Sequence, residues 1–142
     1  ASAGRGTLRL PEYDPDSPQA AFIERTDDGD IDIVSLDSLP VPPFDSLLLK
    51  LDVEGAEFEA LVGGQHLLSR SQRWCILLEV HALALARTGR TPAEIIAKLF
   101  ELGATDAFLA EDGRPLIRGG VVVDRTIPNA ICNIVASRAG HG

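Results

Sequence analysis

The chain has 142 residues, 45% of them apolar, enough to bury the core of one domain and too apolar for a disordered tail. Thirteen basic residues against 21 acidic ones leave a net charge of −8, and such a surface repels phosphate, which argues against sequence-independent nucleic-acid binding. No apolar run approaches the roughly 18 residues of a membrane span, and the opening ASAGRG has no apolar signal region, so neither a membrane nor an export route is expected and the location expected is cytoplasmic.

In chain order, GTLRL (6–10) reads as a short strand and PEYDPDSP (11–18) as a loop, because its prolines fix φ and remove ladder donors. AAFIERT (20–26) reads as a strand, DDGD (27–30) as a turn, and IDIVSL (31–36) as a half-buried strand by its alternation. SLLLKLDV (46–53) is almost continuously apolar, as suits a strand covered on both faces. After Gly55 the pattern turns helical, with Phe58, Leu61 and Val62 on one face until Gly63 and Gly64 interrupt it; 65–69 adds a further turn. WCILLEV (74–80) is a second buried strand. TPAEIIAKLFELG (91–103) is a helix with Thr91 as N-cap, Pro92 at its first position, Glu94 completing a capping box and Gly103 as its stop. Residues 107–110, 120–123 and 130–136 read as strands, with a turn over 111–115. Strand, helix, strand, helix, strand is the order of an α/β sheet, and the last strands suggest an antiparallel finish. One domain is expected over 1–142, with 1–30 as loop and hairpin and 31–136 as the α/β core.

Chemistry concentrates at two strand ends. Asp52 and Glu54 close one buried strand, and Glu79 and His81 close the next. Ligands of open α/β sheets bind outside the carboxyl ends of the strands. Neighbouring strands lie about 5 Å apart, so adjacency would put three carboxylates and an imidazole on one rim. Each residue also has a plainer reading. Glu57 and Glu59 suit the first turn of a helix, where the dipole favours acids by roughly 0.3–1 kcal/mol each. Asp52 could be only a helix cap, Glu79 only half of a structural pair, and His81 an ordinary loop histidine. Lys50, inside an apolar run, either snorkels or neutralises a carboxylate. His66 and His141 read as surface residues, and Cys75 and Cys132 as buried free thiols; no metal site is expected.

These residues carry a family resemblance. KLDVEGAE, from Lys50 to Glu57, resembles the K-I-D-V-E-G-x-E signature of the FkbM family of S-adenosylmethionine-dependent methyltransferases. VSLDSL (34–39) is similar to the family's upstream T-L-D-x-L segment, ALVGG (60–64) to its continuation, and ILLEVH (76–81) to its next strand. The resemblance covers residues 31 to 81 in order.

It implies a Rossmann-like class I methyltransferase sheet and methyl transfer from S-adenosylmethionine to a hydroxyl on a sugar or other small natural product. On that basis Asp52 would orient the acceptor or act as base, with His81 as the alternative base. Glu54, Glu57, Glu79 and Lys50 would line the acceptor side. The glycine-rich turn that holds the cofactor belongs, by the family's order, upstream of residue 31, and no acid-x-Gly-x-Gly run stands there. The expectation is therefore the C-terminal half of such a domain, a sheet incomplete on its N-terminal side, inactive in isolation, with the cofactor-binding residues unassigned. Two other readings stay open: a Mg²⁺-dependent phosphotransferase or hydrolase built on the clustered acids, and a non-catalytic module without a cofactor site.

Overall fold

Strand pairing divides the chain into two sheets. The computed structural model describes residues 4–9, 22–117 and 131–140. The loop expected over 11–18, the start of the 20–26 strand, the 120–123 strand, Ala130 and His141 lie outside the described residues.

The smaller sheet is antiparallel, in the order β2-β1-β3. It contains β1 (Gly4–Arg9), β2 (Phe22–Arg25) and β3 (Ile31–Ile33). The strand expected over 31–36 is shorter than its alternation suggests, since Leu36–Ser38 form a 3-10 turn. β3 pairs with β1, with Gly6 opposite Ile31. It therefore belongs to the small sheet and not to the central one.

The larger sheet contains β4 (Ser46–Leu51), β5 (Arg73–His81), β6 (Asp106–Leu109) and β7 (Ile131–Arg138), in the order β4-β5-β7-β6. β4 and β5 run parallel, and β7 is antiparallel to both of its neighbours. The chain is thus a mixed α/β protein with an antiparallel finish.

Parallel neighbours need a crossover, supplied here by α1 (Glu57–Gly63) and α2 (Gln65–Arg70), which break at Gly64 as the glycine pair suggests. α4 (Pro92–Glu101) has its expected start: the Thr91 hydroxyl accepts from the Glu94 amide, and the Glu94 carboxylate accepts from the Thr91 amide at 2.8 Å. The short α3 (Ala82–Arg87) was not expected, because HALALAR shows no clear 3.6-residue pattern. No described helix is long and apolar enough to cross a membrane.

The core lies on one face of the larger sheet. Trp74, Ile76, Leu78 and Val80 of β5 are buried there with Leu61, Leu68, Ile95, Ile96 and Leu99 from the helices. Each buried aliphatic side chain stabilises the fold by about 1.5–3 kcal/mol. Residues on the other face of β5, such as Cys75, Leu77 and Glu79, are half-buried. This corrects the expectation for 46–53. β4 is not covered on both faces: among the described residues it is an edge strand, and its outward Leu48 is 79% exposed. Leu47, Leu49 and Leu51 meet the core, while Leu48 and Lys50 face away.

Arg90 ties α1 to the start of α4. It pairs with Glu59 at 3.2 Å and Glu94 at 3.3 Å, and lies 3.9 Å from the centre of the Phe58 ring. Glu59 is accounted for structurally.

Leu78→Ala is expected to destabilise the protein by about 2–5 kcal/mol through lost burial and a residual cavity. Leu48→Ala should stay within about 0.5 kcal/mol. Urea denaturation of both variants measures the contrast, and similar losses at the two positions would contradict a core confined to the helix-covered face.

Candidate functional site

The rim is set by register. Leu51 pairs with Leu78, so the parallel β4 and β5 reach the same edge of the sheet together. Asp52 leaves β4 beside Glu79, and one oxygen from each of Asp52, Glu54 and Glu79 lies within 4.8 Å of the others. His81, at the end of β5, is close enough to act on Glu54 electrostatically. The structure therefore brings together the acids of the two strand ends.

Glu54 reaches this position through an uncommon backbone. Ala56 N–H donates to the Val53 carbonyl at 3.2 Å, and the two residues between them have φ of 51° at Glu54 and 103° at Gly55. Positive φ at both central positions marks a type I′ turn. For a non-glycine residue the left-handed region costs about 1–2 kcal/mol. At Gly55 a side chain is also excluded by space, because a Cβ would run into the Ala84 carbonyl of α3.

Lys50 neutralises rather than snorkels: its Nζ lies 3.0 Å from Asp52 Oδ2. Both side chains are well exposed, so the pair adds little stability, but it places one cation at the rim. Burial is the main influence that pushes the Glu54 carboxyl above the ordinary glutamate range. The neighbouring Asp52, Glu79 and Glu57 push the same way, and His81 opposes them. Such a cluster can hold a hydroxyl by its proton, accept that proton, or face a cation. Its three oxygens are of the type and closeness that a hard metal ion takes.

The other sequence candidates divide by burial. Asp52 is not a helix cap; α1 begins after Ala56 with no side-chain cap. Glu57 is only 1% exposed. Its Oε1 accepts from Gly55 N–H at 3.1 Å and Val53 N–H at 3.4 Å, and its Oε2 has no hydrogen-bond partner. It holds the backbone of the acidic turn from inside. His66 is exposed, as expected. Cys75 and Cys132 are free thiols, each half-buried.

Two supporting residues escaped the sequence reading. Asp37 accepts from the His66 and Leu67 amides at 3.2 and 2.7 Å, capping α2 from 30 residues away in sequence. Thr88, which ends α3, has its hydroxyl 3.1 Å from the Gly55 carbonyl. Neither contact leaves a local pattern.

The acids gather at the carboxyl ends of adjacent parallel strands, the edge outside which open α/β sheets bind their ligands. A family profile described as the methyltransferase FkbM domain matches residues 1–105, a span that contains every acid of the rim. The chain belongs to the FkbM methyltransferase family. No curated protein and no solved structure matches it.

Because the Glu54 pKa is raised on folding, the native state holds its proton more tightly than the unfolded chain does. The stability gained is present below the ordinary glutamate pKa and is lost as pH rises through the raised one. Glu54→Gln is therefore expected to raise the denaturation midpoint at neutral pH and leave it nearly unchanged in acid. Midpoints compared across that range test this, and equal changes at both ends would uncouple Glu54 from the cluster.

Proposed function

We propose that the chain is the acceptor-side portion of a Rossmann-like methyltransferase domain that transfers a methyl group from S-adenosylmethionine to a hydroxyl of a sugar or other small natural product. The observation that carries this reading is the gathering of Asp52, Glu54 and Glu79 at the carboxyl edge of the sheet in a chain of this family. The topology supports it. A doubly wound sheet has the strand order 3-2-1-4-5-6, and β4-β5-β7-β6 has the form of its 4-5-6 side with one antiparallel strand inserted. In such a sheet the outer edge of strand 4 receives strand 1. Here the outer edge of β4 is unpaired among the described residues.

The sulfonium cation of the donor suits a negative rim. Its adenosine needs a glycine-rich turn beside a strand end. Gly55, which follows β4, is packed against the Ala84 backbone and leaves no gap there. The turn at Gly55 is therefore not that adenosine cradle. When bound, the cofactor would supply an electrophilic methyl group and, as its carbon–sulfur bond breaks, would keep the electron pair as a neutral thioether.

The chain's own residues would then position the acceptor. Its hydroxyl would donate to the Asp52 carboxylate, which is 38% exposed and so within reach of a ligand. Lys50, beside it, balances the local charge. Glu79 and Glu54 would hold further hydroxyls of the acceptor. As the methyl–oxygen bond forms, the proton would pass to an Asp52 carboxylate oxygen, with the His81 ring as the alternative acceptor. Alignment of the reacting atoms contributes most to such a displacement, and a positioned base typically adds about 10²–10⁴-fold.

Asp52→Asn in the full protein is expected to lower kcat by about 10²–10⁴-fold, with cofactor affinity and melting midpoint close to wild type. Transfer of a labelled methyl group measures the rate. Unchanged turnover would take Asp52 out of the mechanism.

A further inference from the structure

Two separate segments make the rim, and ladder pairing between them stops at Leu51 and Leu78. Asp52 and Glu54 lie beyond that point, and Glu54 sits on a turn whose central residues are both left-handed. Some contact other than the ladder must hold Glu54 against Glu79. The structure offers two, one on each side of the turn.

From inside, Glu57 Oε1 accepts from the two amides that flank Glu54. From the other side, Thr88 reaches the Gly55 carbonyl. α3 follows His81 directly, so this second contact closes a circuit. It runs from Glu79 and His81 through α3 to Thr88, across to Gly55, and back to Glu54 and Asp52. Close packing of Gly55 on Ala84 lies inside the same circuit. The Thr88 hydroxyl has one proton and two carbonyls in reach, Gly55 at 3.1 Å and Leu85 at 2.9 Å. Leu85 O also accepts from the Thr88 and Arg90 amides, so the hydroxyl proton is shared between the last turn of α3 and Gly55.

We infer that Thr88 and Glu57 are positioning residues for the transfer reaction, a latch that locks the Glu54 turn to α3 and so sets the spacing between the acids of β4 and those of β5. The inference rests on the methyltransferase reading above. It adds that the rim works as one rigid body because of two groups that never touch the acceptor. A latch of this kind governs alignment more than binding, so its loss falls on kcat rather than on KM.

The test uses the full protein with Thr88→Val, Thr88→Ser and Glu57→Ala. Three things are measured: hydrogen exchange at the Val53 and Gly55 amides, the melting midpoint, and kcat with acceptor KM for labelled methyl transfer. Thr88→Val is expected to speed exchange at both amides and to lower kcat about tenfold or more, since displacements near 1 Å can cost about 10²-fold. Acceptor KM should stay within about twofold, and Thr88→Ser should restore the rate. Glu57→Ala should act in the same direction and more strongly; if it fails to fold, the threonine pair carries the test. Unchanged exchange in Thr88→Val overturns the latch. Faster exchange with wild-type kcat also overturns it, as does a fall in melting midpoint that explains the whole loss without rescue by serine. If the wild type methylates no hydroxyl acceptor, the proposed function fails, and the exchange measurement, which needs no substrate, still decides the latch.

Discussion

The parallel pairing of β4 with β5 is the constraint on which the site depends. From Ser46 opposite Arg73 to Leu51 opposite Leu78, the two strands run level and in the same direction. Both chains therefore leave the sheet at one edge, and both deliver carboxylates there. Antiparallel pairing would have sent Asp52 and Glu79 to opposite edges. Parallel pairing in turn demands a crossover, and α1 and α2 provide it by lying on the face of β5 that carries Trp74, Ile76, Leu78 and Val80. The same choice thus fixes where the core is and where the acids emerge.

That arrangement leaves the rim between two environments. Deep in the core three acids could not keep their charge, because desolvation disfavours the ionised form. Fully in water they would be screened and unable to hold a ligand against competition. Asp52 keeps contact with water and with Lys50, while Glu54 is drawn partly out of water towards its acidic neighbours. Backbone strain at Glu54 belongs to the same pattern. A left-handed glutamate is tolerated only where its surroundings over-determine it, and here a buried carboxylate and a helix end do so.

Much of this was legible in the residues. Continuous apolar runs announced β4 and β5, the glycine pair marked the break between α1 and α2, and the Thr91, Pro92 and Glu94 spacing placed the start of α4. The acids at the strand ends were visible as a site because strand and charge meet there. What escaped depends on contacts remote in sequence. The run in β4 reads as buried on both faces, yet burial depends on what covers each face, and the face that carries Leu48 is left open, with Leu48 79% exposed. β3 alternates like a half-buried strand of the α/β core, but its partner is β1. The stretch forming α3 is too short and too uniform in alanine and leucine to show a period, and Asp37 gives no sign of α2 thirty residues on.

The motif itself shows why spacing could not assign roles. Asp37, Asp52, Glu54 and Glu57 are all acids near a strand or helix end, and position alone does not tell a scaffold acid from a rim acid. Their partners separate them. Asp37 spends its oxygens on the amides of α2, and Glu57 turns inward to the amides of its own turn. Asp52 and Glu54 share the rim with Glu79 across the strand pair. Half of the acids thus build the scaffold that the other half stands on. Gly55 joins the two sets: without a side chain, its backbone can rest on Ala84 while its amide meets Glu57 and its carbonyl meets Thr88. Beyond the last ladder pair, Leu51 with Leu78, Gly55 thus carries the coupling of the β4 turn to α3, so a displacement of α3 is a displacement of the rim.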